Sequence, residues 1–170
     1  GVIVCHPDPQ QHGTMFNKVV TSMVRAAHDM QLNTVRFNYR GVGRSQGEYG
    51  HLKGETEDLS CVAKWFKEHG VERFWLLGFS FGCMVTHEYT DSAVLGRLWI
   101  APPVERFNFM RVDAPTFLLQ GLNDEVVSAD AVCLWAKKHN AHLETIEETG
   151  HFFHGKLDRV RSWTKDCLRG

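Results

Sequence analysis

Short apolar runs rich in β-branched and aromatic residues alternate with segments of helical periodicity along all 170 residues. This alternation is typical of a parallel sheet that helices cover on both faces. The sequence therefore predicts an α/β fold, a three-layer sandwich with a mostly parallel sheet. The length and the 43% hydrophobic content predict a single domain over residues 1–170.

Six strands and five or six helices are predicted. The strands are placed at residues 2–5, 34–39, 74–77, 97–101, 116–120 and 142–146. Helices are placed at 55–69, 83–89 and 156–168. A further helix is predicted from the apolar stripe Val20, Met23, Val24 and Ala27. Another is predicted to be capped by Ser128 and to carry Val132 and Trp135. Gly70 is expected to end the helix at 55–69.

The motif Gly78-Phe79-Ser80-Phe81-Gly82 joins the third strand to a helix. A sharp strand-to-helix turn forces its serine into a strained backbone conformation, and side chains at the two glycine positions would crowd the strand or the helix. We therefore expect Ser80 Oγ to stand clear of the sheet as a candidate nucleophile.

A serine hydroxyl needs an imidazole to take its proton, and the imidazole needs a carboxylate to fix its tautomer. Asp124 follows the fifth strand and His151 follows the last strand, so both are expected at the same carboxyl edge of the sheet as Ser80. The chain order serine, aspartate, histidine is the one expected with a nucleophile elbow. The alternatives Glu125 and Asp130 compete with Asp124, and His154 competes with His151.

An oxyanion hole needs two backbone N–H groups. The Phe81 N–H is expected to face the space in front of Ser80. The turn Cys5-His6-Pro7-Asp8 follows the first strand beside the expected site, and the Asp8 N–H is the predicted second donor.

Several segments together resemble the α/β-hydrolase superfamily: the strand leading to His6-Pro7, the loop Arg40-Gly41-Val42-Gly43-Arg44-Ser45, the Ser80 motif, Asp124 after its strand, and Gly150-His151-Phe152-Phe153-His154. They are especially similar to small, capless bacterial serine hydrolases related to dienelactone hydrolases and carboxylesterases. The resemblance implies Ser80 as nucleophile, His151 as general base and acid, and Asp124 as the residue that orients it.

The chain departs from that family in two ways. Family members begin with two further strands, so the resemblance implies that an N-terminal piece is missing. The remaining strands would then run in the order second, first, third, fourth, fifth, sixth, with the strand from Thr34 to Tyr39 at an unprotected edge that invites self-association. Dienelactone hydrolases also use a cysteine where this chain has Ser80, so their substrate does not carry over.

Charge and composition exclude several function classes. Nineteen basic and twenty acidic residues nearly cancel, and no run of five like charges exists, which argues against nucleic acid as a partner. No apolar stretch is long enough to span a membrane, and no signal peptide is recognisable. No metal-ligand motif is present, so we expect neither metal nor cofactor. Five widely spaced cysteines are typical of a reduced cytoplasmic protein.

Three further sequence features each allow a functional and a structural interpretation. Gly41, Gly43 and Gly47 form either a dinucleotide-binding loop or, as we expect, a structural turn. The phenylalanines at positions 79, 81, 152 and 153 either line an acyl pocket or belong to the core. Cys83 is expected to be a packing residue and not a second nucleophile.

The sequence thus predicts a carboxylesterase-type hydrolase that acts on small or medium-sized soluble esters through an acyl-Ser80 intermediate. Two alternatives remain open at this stage. One is a catalytically idle hydrolase fold that serves as a binding module. The other is an acyltransferase or perhydrolase that uses the same serine with a different acyl acceptor.

Overall fold

The computed structural model describes residues 1–110 and 114–170, and in them six strands form one parallel sheet. Its strands are β1 (Val2–Cys5), β2 (Thr34–Arg36), β3 (Phe74–Phe79), β4 (Val94–Ile100), β5 (Thr116–Gly121) and β6 (His142–Ile146). They lie in the order β2-β1-β3-β4-β5-β6, as the resemblance to the α/β-hydrolase superfamily implies. The order reverses between β1 and β3, and in open α/β sheets ligands bind at the carboxyl ends of the strands beside such a reversal.

Helices cover both faces of this sheet and make the predicted three layers. They are α1 (Lys18–Asp29), α2 (Lys53–Glu68), α3 (Phe81–Glu88), α4 (Ala129–His139) and α5 (Leu157–Arg169), with a 3-10 turn at Pro9–Gln11. Helices α1 and α5 pack together on one face. Helices α2, α3 and α4 cover the other.

The strand β1 shows why the strand sequences are continuously apolar. Its four residues are all fully buried. Val2 and Val4 belong to the core under α1 and α5, whereas Ile3 and Cys5 belong to the core under α2 and α3. Because successive side chains point to opposite faces, a strand covered on both sides needs an apolar residue at every position.

The structure corrects the bounds of several predicted elements. The strand β2 ends at Arg36 and not at Tyr39, because the Tyr39 N–H donates to the His6 ring instead of continuing a strand ladder. Tyr39 is also fully buried, so it does not belong to the exposed edge. The strand β3 is longer than predicted and continues to Phe79, directly before Ser80.

The strand β4 begins at Val94, three residues before the predicted start at Arg97. Arg97 lies within the strand and is buried, with its Nε donating to the Thr86 carbonyl and its Nη2 to the Tyr89 carbonyl at the end of α3. Burial lowers the pKa of its guanidinium. A charged side chain thus occupies a strand interior because the last carbonyls of a helix accept its hydrogen bonds.

Local signals at the helix ends are confirmed. The Ser128 side chain caps α4 by accepting the Ala131 N–H. Gly70, with φ at 87°, follows the end of α2 at Glu68 and its cap residue His69. The other helices differ from the predicted bounds by one or two residues, a shift that follows from fraying and 3-10 geometry at helix ends.

β2 lies at one edge of the described sheet, with one side of its backbone facing no other strand. We propose that this edge pairs with a second copy of the chain. Static light scattering over a concentration series should then give a mass rising above the 19.4 kDa of one chain. Thr34→Lys adds a charge at the edge and should shift the mass toward that of the monomer. A monomer at every concentration would contradict the proposal.

Candidate active site

Ser80 occupies the turn between β3 and α3 in a strained backbone conformation. Its φ of 53° and ψ of −115° lie outside the regions that residues with a side chain ordinarily adopt. The Ser80 N–H donates to the Ile100 carbonyl at 2.9 Å, and its own carbonyl accepts the Cys83 N–H at 2.9 Å. Such strain costs on the order of 1 to 3 kcal/mol and persists where neighbouring structure imposes it.

The two glycines of the motif allow backbones to approach each other closely. A Cβ at Gly78 would lie 2.5 Å from the Gly82 backbone, and a Cβ at Gly82 would lie 2.3 Å from the Cys5 carbonyl oxygen. Neither position can hold a side chain without displacing the strand or the helix. The start of α3 is therefore packed directly against the end of β1.

Asp124 and His151 form a buried pair after β5 and β6. His151 Nδ1 lies 2.8 Å from Asp124 Oδ2, and the two side chains are 4% and 0% exposed. Burial alone would raise the pKa of Asp124, but hydrogen bonds from the His151 ring and from the Val127 and Val126 N–H groups hold it below its ordinary value. Because the ionised carboxylate can only accept, Nδ1 is the nitrogen that donates to it, and in the neutral tautomer with this bond Nε2 is the acceptor.

The alternative residues occupy other places. Glu125 accepts the backbone N–H of His151 at 3.2 Å and does not contact its ring nitrogens. Asp130 lies in the first turn of α4. His154 is exposed and contacts the ring of Phe152. Of the predicted acids and histidines, the structure joins Asp124 with His151.

Ser80 lies at the same sheet edge as this pair without being bonded to it. The ring of Phe79, the residue before Ser80, lies 5.1 Å from the His151 ring. Ser80 is nearly buried, and its hydroxyl makes no hydrogen bond to any residue in the ranges 1–110 and 114–170. In unliganded active sites such hydrogen bonds are often long and tighten only around a substrate.

The two predicted oxyanion donors lie on neighbouring segments. Phe81 is the first residue of α3, where a backbone N–H has no acceptor within the helix. Asp8 follows the segment Cys5-His6, which Gly82 contacts. The Asp8 carboxylate accepts the Gln10 N–H at 2.8 Å and caps the 3-10 turn, so the side chain is already engaged in holding the loop.

His6 supports this loop, and sequence reasoning missed its role. Its ring is fully buried, with Nδ1 at 2.7 Å from the Pro7 carbonyl oxygen and Nε2 accepting the Tyr39 N–H at 3.2 Å. The Tyr39 hydroxyl donates to the His6 carbonyl at 2.9 Å. Burial lowers the pKa of His6 to about 4, although the Pro7 carbonyl favours the charged form. A neutral His6 therefore ties the loop after β1 to Tyr39, in the segment that follows β2.

Two more supporting residues carry only a weak signal in the sequence. Gln120 is fully buried at the end of an apolar strand and donates Nε2 to Asp124 Oδ2 at 3.1 Å. Glu125 holds the backbone of His151, as described above. The sequence signal for Gln120 is a polar residue near the end of a buried strand. The contact of Glu125 with the His151 backbone has no signal in the sequence, because it depends on how the two loops fold together.

The remaining site predictions divide between core and surface. Phe79 and Phe153 are fully buried and Phe81 nearly so, while Phe152 is 43% exposed. Cys83 is buried, donates its thiol to the Gly78 and Ile100 carbonyls, and has a raised pKa because of burial, as a packing residue would.

The glycine-rich loop after β2 is a structural turn. Gly41, Gly43 and Gly47 all have positive φ, and the Gly41 N–H closes the loop on the Gln46 carbonyl. The helix α2 begins only at Lys53, so no helix N-terminus stands directly behind the glycines as dinucleotide binding requires.

Within residues 1–110 and 114–170, no group of three or more potential metal ligands occurs. No helix in this part of the chain is both long and apolar enough to cross a membrane.

Comparison with known proteins places the chain among hydrolases. No protein-family model matches it. It is 31% identical over 183 residues to the uncharacterized protein RP471 of Rickettsia prowazekii, covering 98% of this chain and 77% of the relative. An α/β serine hydrolase homologue from Coxiella burnetii superposes with a TM-score of 0.91 at 38% identity, over 98% of this chain and 84% of the other.

A second solved structure, XC6422 from Xanthomonas campestris, is described as an α/β serine hydrolase without lid. It superposes with a TM-score of 0.93 at 37% identity, covering 99% of this chain and 80% of the other. The chain belongs to the α/β-hydrolase superfamily. Its similarity to serine hydrolases supports hydrolase function.

The environment of His6 predicts a pH dependence of stability. Because its pKa is about 4 in the folded protein against an ordinary 6.5, the unfolded chain binds a proton first and stability falls as the pH drops from 6.5 toward 4. Between pH 7 and pH 5 this group should cost about 2 kcal/mol of unfolding free energy. The free energy of unfolding is measured by urea denaturation at both pH values. In His6→Gln, its decrease from pH 7 to pH 5 should be smaller by about 2 kcal/mol than in the unsubstituted protein.

The exposed residue His28 on α1 provides the matched control. His28→Gln should keep the drop seen in the unsubstituted protein. An equal drop in His6→Gln and the unsubstituted protein would show that His6 is not held neutral.

Proposed function

We propose that the protein is a serine hydrolase that cleaves carboxylic esters of small to medium-sized soluble substrates through an acyl-Ser80 intermediate. The observation that carries the proposal is the buried Asp124–His151 pair at the sheet edge where Ser80 occupies its strained turn. Acyl transfer by a serine requires three groups that can come together: a carboxylate, a neutral imidazole whose Nε2 can accept a proton, and the serine hydroxyl.

In the acylation step, Ser80 Oγ attacks the ester carbonyl carbon and its proton passes to His151 Nε2. The new C–O bond forms as the carbonyl π electrons move to the oxygen. Asp124 stabilises the imidazolium through the Nδ1 hydrogen bond and stays ionised. The tetrahedral intermediate then collapses, and the leaving alkoxide takes the proton from Nε2 and departs as an alcohol.

The oxyanion of that intermediate would be held by the N–H groups of Phe81 and Asp8. Each such donor contributes on the order of 3 to 4 kcal/mol of transition-state stabilisation. Both segments are fixed in the free protein, one by the contact of Gly82 with Cys5 and the other by the buried His6. Fixed donors require no reorganisation when the charge develops.

In the deacylation step, water takes the place of the alcohol. His151 Nε2 removes a proton from the water as its oxygen attacks the acyl carbon, and the second tetrahedral intermediate collapses to release the acid. The proton returns to Ser80 Oγ and regenerates the enzyme.

A short connection between β4 and β5 supports an open site. Only residues 101–115 join these strands, which is too few for a lid domain. In the described part of this connection, the Phe109 carbonyl accepts the Trp135 N–H and the Met110 N–H donates to His87. The connection is therefore held against α4 and α3. Because a site without a lid domain is open to solvent, we expect small soluble esters to suit it better than long lipids.

We also propose a cytoplasmic location. All five cysteines are free thiols, and two of them, Cys5 and Cys83, are buried in the core. Reducing compartments keep thiols in this state.

Labelling by a fluorophosphonate probe tests the proposal, because the probe reacts with a serine only when a neighbouring base activates it. We expect labelling of the unsubstituted protein, none of Ser80→Ala, and hydrolysis of short-chain esters to fall by about 10⁴-fold or more in Ser80→Ala and in His151→Ala.

Matched substitutions lie on helices away from the site. Ser60 on α2 and His28 on α1 are exposed, and their alanine variants should label as the unsubstituted protein does. Equal labelling of Ser80→Ala and the unsubstituted protein would contradict the proposed mechanism, because Ser80 would then not be the residue that reacts. A folded protein that neither labels nor hydrolyses any ester would instead favour the idle binding module.

A further inference from the structure

A cleft of about 310 Å³ lies beside His151, between the start of α1 and the loop after β6. Phe16 and Phe152 form its apolar walls together with Val19, and its polar lining residues are Thr14, Asn17, Lys18 and His154. The mechanism described above uses none of these side chains.

Both aromatic walls are exposed to solvent in the free protein. Phe16 is 62% exposed and Phe152 is 43% exposed, although both belong to the residue type that folding buries most readily. Two large apolar side chains that face one cleft next to a reactive group are typical of a binding site for a small apolar ligand.

The two rings are held in place by their neighbours. The Arg36 guanidinium lies 5.0 Å from the centroid of the Phe16 ring, and Arg36 also donates to the Thr21 hydroxyl. The Phe152 ring lies 5.1 Å from the His151 ring and 6.1 Å from the ring of Phe79. Because these contacts fix the walls, little side-chain entropy is lost when a ligand enters.

The position of the cleft determines which part of an ester it can hold. In the proposed reaction, His151 gives its proton to the leaving oxygen, so the alcohol portion must lie on the His151 side of the scissile bond. The carbonyl oxygen must point toward the Phe81 and Asp8 N–H groups. The Phe152 ring lines the cleft and lies 5.1 Å from the His151 ring, so the cleft is next to the group that would protonate the alcohol.

The charge of the lining favours an anionic ligand. Lys18 supplies a positive charge, and no aspartate or glutamate in the described part of the chain lines the cleft. A carboxylate on the bound group could pair with the Lys18 ammonium, whereas an ammonium on that group would meet a like charge.

We propose that this cleft binds the alcohol portion of the substrate as an aryl group that carries a carboxylate. Phe16 and Phe152 contact the ring and Lys18 pairs with the carboxylate. This inference rests on the proposed ester hydrolysis and names the class of ester that the site prefers.

Three acetate esters with a common acyl group test the inference: methyl acetate, phenyl acetate and 4-carboxyphenyl acetate. The measured quantity is the ratio of kcat/KM between two esters, compared between variants, so that intrinsic differences in reactivity cancel. Phe152→Ala and Phe16→Ala should each lower the phenyl-to-methyl ratio by about 2- to 10-fold, as expected for the loss of one aromatic contact. Lys18→Met should lower the carboxyphenyl-to-phenyl ratio by about 2- to 5-fold.

Exposed residues elsewhere provide matched controls. Leu134→Ala on α4 and Lys64→Met on α2 should leave both ratios unchanged, since neither residue lines the cleft. Added salt should weaken the preference for the carboxyphenyl ester in the unsubstituted protein, because an exposed ion pair is screened.

The outcomes separate this inference from the proposed function. If fluorophosphonate labels Ser80 and the esters are hydrolysed, but the Phe16, Phe152 and Lys18 variants keep both ratios, the cleft does not bind the alcohol and the inference is wrong. If Ser80 is not labelled and no ester is hydrolysed, the proposed function itself fails.

Discussion

The contact between the backbone of α3 and the end of β1 is the constraint on which the rest of the candidate site depends. It exists because Gly82 has no side chain, since a Cβ there would lie 2.3 Å from the Cys5 carbonyl oxygen. Bringing helix and strand this close forces Ser80 into its strained conformation and brings the start of α3 beside Cys5 and His6. A single close approach of two backbones thus constrains both the candidate nucleophile Ser80 and the segments that carry the proposed oxyanion donors.

Two buried histidines show how one residue type serves opposite purposes in this fold. The His6 ring packs against the Tyr39 ring, and its hydrogen-bond partners in the described residues are a carbonyl and a backbone N–H. Burial lowers its pKa to about 4, so the neutral ring supports the loop. The His151 ring meets the ionised carboxylate of Asp124, which Gln120 and two backbone N–H groups hold in place. A positive charge that develops on His151 therefore has a partner, whereas one on His6 would have none.

The layers and the Asp124–His151 pair could be predicted because they follow from local patterns: apolar runs, a glycine-flanked serine, and polar residues directly after strands. The strand order is implied by the resemblance to the α/β-hydrolase superfamily and not by any local pattern. Prediction from the sequence fails where distant segments decide the outcome. The end of β2 depends on the hydrogen bond from Tyr39 to His6, and the buried position of Arg97 depends on carbonyls of α3. The cleft between Phe16 and Phe152 joins segments more than a hundred residues apart, which no local pattern reveals.

A crystal structure of the protein after reaction with a small alkyl fluorophosphonate tests the central claim most directly. The account predicts phosphorus bonded to Ser80 Oγ, with the phosphoryl oxygen about 2.7 to 3.1 Å from the nitrogens of both Phe81 and Asp8. The His151 ring should lie within hydrogen-bond reach of another phosphonate oxygen while keeping its contact with Asp124. An unmodified Ser80, or an adduct whose phosphoryl oxygen points away from both N–H groups, would contradict the account.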